Sequence, residues 1–251
     1  SGAHRVRFVL RHGVPCTTHP SSAIAHRGAN HIHPEIELNP RPNKLKLLKW
    51  LPDSWMVTTG VVADRSLHLT FDDGPNLEHT PRLLDLLASH DAKATFFLLG
   101  EQIEKHPDIV ERLVAEGHQL GNHSYDHPRF TRIPRAEQLD QIERTERLLS
   151  KYDGKPRHRF RPPSGRFPLS LLAHFAVHPG SMAYWSYDSL DYQQKPASEL
   201  IEVMRNHPPR PGDIILMHDD SEATIDALAV MLPEWHASGF RLATLPELPV
   251  T

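Results

Sequence analysis

Two clusters of side chains in this sequence have the types and spacing for metal-assisted hydrolysis. Asp72 and Asp73 are adjacent carboxylates at the end of an alternating apolar run. Such neighbours point in different directions, so one can bind a metal while the other takes a proton from water. His123 and His127 lie four residues apart, a spacing that would bring two imidazoles onto one face of a helical turn around one Zn²⁺. Both clusters also have plain interpretations, because Asp-Gly-Pro is a common turn and the chain has 19 histidines.

Three further polar clusters follow predicted strands: residues 161–165 (RPPSG), 188–192 (DSLDY) and 216–219 (LMHD). The stiff proline loop suits a backbone N–H held ready for an oxyanion, and it leaves Arg161 free to pair with a carboxylate. His218, beside Asp219 at a strand end, is a candidate general acid. Taken singly, residues 161–165 are better explained as an ordinary Pro/Gly loop, and many histidines placed like His218 only cap a loop.

Alternating strand and helix patterns from residue 65 onward would position these clusters. Strands are predicted at residues 67–71, 94–99, 118–122, 158–160, 182–187, 213–217 and 240–243. Helices are predicted at residues 80–89, with Thr80 as its N-cap, and at 107–116, 135–151, 198–205 and 221–238. This alternation predicts an α/β fold with a mostly parallel sheet, of barrel type. In such folds the active residues gather at the carboxyl ends of the strands.

Composition excludes several classes of protein. The charge is 28 − 31 = −3 with neutral His, which gives no reason to expect a nucleic acid as partner. The single cysteine, Cys16, excludes an internal disulfide and a cysteine-based metal site. No apolar run approaches the ~20 residues of a transmembrane segment. Residues 1–5 lack a signal-peptide pattern, and we interpret them as a processed end or a cloning remnant.

The chain is predicted to divide near residue 60. Residues 1–60 would form a partly irregular N-terminal extension, because residues 16–42 are rich in Pro, His, Ser and Asn. Within it, residues 5–10 are predicted as a short strand and residues 45–51 as a short helix. Residues 61–251 would form the α/β domain.

Taken in order, five motifs resemble those of the polysaccharide deacetylases, the NodB-homology group or carbohydrate esterase family 4. They are residues 70–75 (TFDDGP), 123–127 (HSYDH), 161–165, 188–192 and 216–218 (LMH). The resemblance spans about residues 64–248. It implies a distorted (β/α) barrel that binds one divalent metal, usually Zn²⁺, and removes acetyl groups from a glycan substrate. It also favours an extracellular, periplasmic or cell-envelope location.

The same resemblance implies roles for the first three motifs. Asp73, His123 and His127 would be the metal ligands. Asp72 would be the base that activates the attacking water. Arg161 would pair with Asp72 and fix its orientation and charge.

For the remaining positions, the resemblance implies an acid and a substrate groove. The N–H of Ser164 would help to bind the oxyanion, although the family usually has Tyr there. His218 would protonate the leaving amine, with Asp191 hydrogen-bonded to it. Tyr192, where the family usually has Trp, and Leu216 would line the acetyl pocket or the sugar groove. These two departures affect the choice of glycan more than the catalysis.

The predicted function is metal-dependent removal of acetyl groups from N-acetylated amino sugars of a chitin-type or peptidoglycan-type glycan. An O-acetyl esterase acting on a glycan such as xylan, or a non-catalytic glycan-binding member, remain alternatives. Residues 11–13 (RHG) resemble the signature of histidine phosphatases, but 60 residues are too few for that fold. His31 and His33 are a further metal candidate, for which a surface loop is the plain interpretation.

Overall fold

Strands and helices alternate along residues 39–248, the part of the chain that the computed structural model describes. The strands are β1 (Met56–Val57), β2 (Ser66–Asp72), β3 (Thr95–Leu98), β4 (Gln119–Asn122), β5 (Met182–Ala183), β6 (Tyr187–Asp188), β7 (Ile214–His218) and β8 (Arg241–Leu242). The helices are α1 (Leu45–Leu48), α2 (His79–Ser89), α3 (Gly100–Lys105), α4 (Pro107–Ala115), α5 (Arg135–Asp153), α6 (Leu169–Val177), α7 (Ala197–Asn206) and α8 (Glu222–Ala237).

The sheet is parallel and centred on β2. β2 pairs with β3 and β7 and, at its start, with β8, so that the main order is β4-β3-β2-β7-β6. Phe160 bridges Asn122 of β4 to Met182 of β5, and β5 pairs with β1. The predicted α/β class with a parallel sheet is therefore confirmed. Along the sheet the strands lie in the order β1-β5-β4-β3-β2-β7-β6, with Phe160 between β5 and β4, and within residues 39–248 no ladder joins β1 to β6.

Alternation along the strands separates two apolar clusters. Leu67, Leu69 and Phe71 of β2 face the cluster formed with α2, α4, α7 and α8, while Thr70 and Asp72 face the other side of the sheet. Successive side chains of a strand point to opposite faces, which is why one strand serves both. A second cluster, on the inner face, includes Phe97, Phe160 and Leu216. Burying each such side chain stabilises the fold by about 1.5–3 kcal/mol.

Several details differ from the sequence-based predictions. Residues 182–187 form two short strands instead of one, and residues 158–160 contribute only the bridge at Phe160. α3, α6 and β1 were not predicted. α2 begins at His79, so Thr80 is not its N-cap; its hydroxyl instead accepts from Asn76 N–H and donates to the carboxylate of Asp219.

Residues before position 61 contribute to the fold that holds the site. α1 and β1 both lie in this part, and β1 pairs with β5 in register Met56 to Met182. The predicted strand at residues 5–10, the residues 11–13 and the pair His31 and His33 lie outside the described residues. No helix within residues 39–248 combines the length and apolar character that crossing a bilayer requires.

Candidate active site

A cavity of about 550 Å³ opens where β2, β4 and β7 end. Eight of the ten predicted site residues line it: Asp72, Asp73, His123, His127, Ser164, Tyr192, Leu216 and His218. The other two, Arg161 and Asp191, are buried directly behind this lining. Because parallel strands present their carboxyl ends at one edge, motifs far apart in sequence meet here.

One corner of the cavity, called the metal corner below, brings together three potential metal ligands: Asp73, His123 and His127. Oδ1 of Asp73 lies 3.5 Å from Nε2 of both His123 and His127, and all three ligand atoms fall within 4.8 Å of one another. This Oδ1 is buried and has no hydrogen-bond partner among the described residues. A buried carboxylate oxygen without a partner is costly, and a divalent cation held between these three groups would supply the missing interaction.

His123 is held in the form that binds metals. Its Nδ1 donates to the carbonyl of Arg161 at 2.8 Å, which leaves the lone pair of Nε2 directed at Asp73. Burial lowers the pKa of His123 to about 3, so the ring is neutral at pH 7. A neutral imidazole with one nitrogen free is the ligand state that Zn²⁺ requires.

The two histidines approach each other through a loop, and the predicted helical turn is absent. His123 directly follows β4, and the residues up to His127 are irregular. Ser124 and His127 have φ of 75° and 58°, and Asp73 has φ of 72°. Left-handed backbone at residues other than glycine costs about 1–3 kcal/mol each and clusters at functional sites. The ring centroids of the two histidines nevertheless lie 5.2 Å apart.

Asp72 faces the metal corner from a buried ion pair. Its Oδ1 accepts from Nη1 of Arg161 at 2.7 Å, and the same nitrogen donates to Oγ1 of Thr70 at 2.7 Å. The guanidinium lies 4.0 Å from the ring centroid of Phe97. Burial raises the pKa of Asp72 and the charge of Arg161 opposes that rise. The other oxygen, Oδ2, lies 3.6 Å from Nε2 of His123, on the side of the metal corner.

His218 and Asp191 form a second pair across the cavity. Nδ1 of His218 donates to Oδ1 of Asp191 at 2.9 Å, and Asp191 Oδ2 accepts from the backbone N–H of His218 and from Thr224. Nε2 lies 4.0 Å from Oδ2 of Asp73. Burial lowers the pKa of His218, but Asp191 and the nearby carboxylates outweigh it and raise this pKa to about 10. A bound cation would oppose that rise.

Ser164 and Tyr192 flank the mouth of the cavity. Ser164 lies in a short 3₁₀ turn, Pro163–Gly165, with φ of 54°. The next two backbone N–H groups, those of Gly165 and Arg166, donate to the carbonyls of Pro162 and Pro163. Neither of these bonds uses the N–H of Ser164. The side chain of Tyr192 is 56% exposed, so its ring is available to a sugar.

Other residues of the site were not assigned a role from sequence. Trp185 and Asp188 line the cavity, and burial raises the pKa of Asp188 to about 6. Three arginines also line it: Arg129, Arg132 and Arg166. Their positions just after the second and third motifs were the signal that could have revealed them.

Comparison with known proteins identifies the family. The family described as polysaccharide deacetylase matches residues 59–177. A peptidoglycan-N-acetylglucosamine deacetylase of Bacillus cereus is 37% identical over 79% of this chain and 75% of its own. A chitooligosaccharide deacetylase of a Bradyrhizobium species is 33% identical over 75% and 92%. The crystal structure of a peptidoglycan N-acetylglucosamine deacetylase with an N-oxidanyl-benzamide superposes with a TM-score of 0.74, at 35% identity over 79% and 94%. The chain thus belongs to the polysaccharide deacetylase family.

Proposed function

We propose that this protein is a metal-dependent hydrolase that removes acetyl groups from N-acetylated amino sugars of a chitin-type or peptidoglycan-type glycan. The observation that carries the proposal is the buried Oδ1 of Asp73, which has no hydrogen-bond partner within residues 39–248 and faces Nε2 of His123 and of His127. The Asp72–Arg161 ion pair and the Asp191–His218 pair flank this corner. The activities named for its relatives support the same reaction.

Asp73, His123 and His127 would hold the metal, most simply Zn²⁺. Two imidazole nitrogens and one carboxylate oxygen form a donor set that Zn²⁺ binds with an open position for substrate. The ion would polarise the acetyl carbonyl and lower the pKa of water.

Asp72 would accept the proton of the attacking water. Its second oxygen points to the metal corner while the first is held by Arg161, so the carboxylate cannot rotate away. A raised pKa brings a carboxylate closer to the working pH of a general base. The N–H of Ser164, which also lines the cavity, would donate to the oxygen that becomes negative.

His218 would deliver a proton to the departing nitrogen. An amine leaves an amide only after protonation, so the reaction needs a second group that is charged at neutral pH. Asp191 supplies that condition, because its hydrogen bond and charge favour the imidazolium. A protonated acid fits N-acetyl substrates better than O-acetyl esters, whose leaving alcohols need less assistance.

The test is release of acetate from matched N-acetylated and O-acetylated glycans after chelation and after addition of Zn²⁺. We expect release from the N-acetylated glycans that is lost on chelation and restored by Zn²⁺. Asp72→Asn should keep bound metal and lose about 10²–10⁴-fold in kcat, whereas Asp73→Asn should lose metal first. Full activity without metal, or preferential cleavage of O-acetyl esters, would contradict the proposal.

A further inference from the structure

We infer that the substrate is a glycan bearing carboxylates, as peptidoglycan strands do, and that Arg129, Arg132 and Arg166 recognise those carboxylates. The inference rests on the proposed deacetylase function and adds the charge of the substrate to it. All three side chains are exposed and line the cavity that holds the metal corner.

The three arginines are supplied by two loops at the mouth of the cavity. Arg129 and Arg132 lie in the segment that follows His127, and the backbone N–H of Arg132 donates to the carbonyl of Arg129 at 2.7 Å. Arg166 ends the turn that contains Ser164. The cationic groups therefore flank the metal corner and the proposed oxyanion donor. A carboxylate near the reacting acetyl group would meet them.

Within residues 39–248, none of these three side chains makes an ion pair or a hydrogen bond. Two partly exposed basic side chains at another opening are paired. An apolar opening of about 980 Å³, which shares no lining residue with the candidate site, is lined by Lys155 and Arg157. Lys155 pairs with Glu247 at 2.9 Å and Arg157 with Glu143 at 3.1 Å. The arginines of the candidate site thus keep their donors available to a ligand.

Within the described part of the chain, the acidic groups of the cavity do not pair with these three arginines. Asp72 is already paired with Arg161, Asp73 faces the two histidines, and Asp188 accepts from the backbone N–H of Leu190. A bound divalent cation would offset the negative charge of Asp73. A substrate with negative charge beside its acetyl group is therefore favoured over a neutral one, and guanidinium groups match carboxylates with paired donors.

Peptidoglycan offers such a group where chitin offers none. In a peptide-free peptidoglycan strand each muramic acid residue carries a free lactyl carboxylate, and in a strand with stem peptides that carboxyl is an amide while the peptide supplies carboxylates of its own. Negative charges therefore recur along the chain beside N-acetyl groups. Chitooligosaccharides have the same N-acetylglucosamine but no charge. The three arginines would favour the charged glycan over the neutral one without altering the reaction at the acetyl group.

The probes are peptide-free peptidoglycan oligosaccharides, the same oligosaccharides with methyl-esterified carboxylates, and chitooligosaccharides of equal length. We expect kcat/KM for acetate release to favour the charged strand over its ester, with each exposed arginine contributing about 1.5-fold to 5-fold. Added salt should reduce this preference. The triple variant R129Q/R132Q/R166Q should lose it. The control R147Q/K151Q/R210Q, which makes the same charge change at exposed positions away from the cavity, should keep it.

Two results would overturn the inference. One is acetate release at equal kcat/KM from the charged and the esterified strand by the unchanged protein. The other is a preference that persists in the triple variant. If no glycan releases acetate, the proposed function fails by itself. Calorimetric binding of the charged strand to the protein and to the triple variant then decides on the arginines, and equal affinities would reject them.

Discussion

Two histidine–carboxylate clusters in this protein use the same residue types and reach opposite states. In the metal corner, His123 and His127 keep free nitrogens, and the Asp73 oxygen between them has no hydrogen-bond partner within residues 39–248. Beside α5, His158 donates from Nδ1 to Glu146 at 2.6 Å and from Nε2 to Asp153 at 2.9 Å. A ring that donates from both nitrogens is an imidazolium and has no lone pair for a metal.

The difference shows that residue type alone does not identify a metal site. The His158 cluster is saturated, and it supports the site indirectly. Glu146 also accepts from the side chain of Asn122, which immediately precedes His123, and Asn122 in turn accepts from the backbone N–H of Ser124. The His158 cluster, closed because both ring nitrogens are paired, therefore anchors the segment that leads into His123. The metal corner, open because its ligand atoms are free, extends from that segment. Free ligand atoms, more than histidine count, distinguish the two.

The largest expected effect comes from removing a ligand of the open cluster. His127 is only half-buried, so His127→Ala should fold, yet it should lose bound Zn²⁺ and at least about 10²-fold in kcat/KM, since even outer partners of ligands contribute 10–100-fold. His158→Gln is the matched change in the closed cluster and should retain stoichiometric metal. The two variants are compared by measuring their metal content by atomic absorption together with their activity. A metal-replete His127→Ala would show that the corner is not the binding site.

The next effect concerns the acid pair, a third arrangement in which one nitrogen is paired and the other faces the cavity. His218 acts only when protonated, and Asp191 raises its pKa, so activity should fall as pH rises through that pKa. Asp191→Asn should shift the alkaline limb of the kcat/KM profile to lower pH and reduce activity at neutral pH. His218→Ala should remove the limb, cost about 10²–10⁴-fold and keep the metal. A limb that is unmoved in both variants would place the acid elsewhere.

Much of this arrangement was predictable from local sequence. The period-two pattern of Leu67, Leu69 and Phe71 located β2, and the Asp pair at its end followed directly. Pro107 and Gly117 correctly bracketed α4, with Gly117 at φ of 78°. These signals work because they depend on neighbours in the chain.

What could not be predicted depends on distant partners. Thr80 has the sequence of an N-cap, yet its hydroxyl serves Asp219, 139 residues away. Arg161 and Asp72 are 89 residues apart, and only the family resemblance suggested their pairing. The two-residue strands β5 and β6 have no periodicity to detect, since their neighbours in the sheet define them. The positive φ of His127 likewise arises from the folded loop.

The His158 cluster should affect the stability of the protein and not its metal content. Burial lowers the pKa of His158, but Asp153 and Glu146 outweigh it and raise this pKa to about 9. A folded-state pKa above the unfolded value of ~6.5 means that the stabilisation is complete below that pH and is lost as pH rises through about 9. The free energy of unfolding should therefore decrease over this window by at most about 3 kcal/mol, and the melting temperature should fall with it. His158→Gln should flatten this dependence, whereas a change at exposed His207 should not.

The smallest effect is expected at Ser164, where the main chain and not the side chain would act. Because φ is 54°, proline cannot replace this residue without breaking the turn, so removing the N–H by that route would test folding and not catalysis. Ser164→Ala and Ser164→Gly both keep the N–H, and glycine also relieves the left-handed backbone. We expect kcat/KM of both variants to stay within about threefold of the unchanged protein, against the ~10²–10³-fold that losing an oxyanion donor costs. A loss above tenfold in both would show that the hydroxyl itself takes part. Such a loss in glycine alone would show that the turn must be rigid to hold its N–H in place.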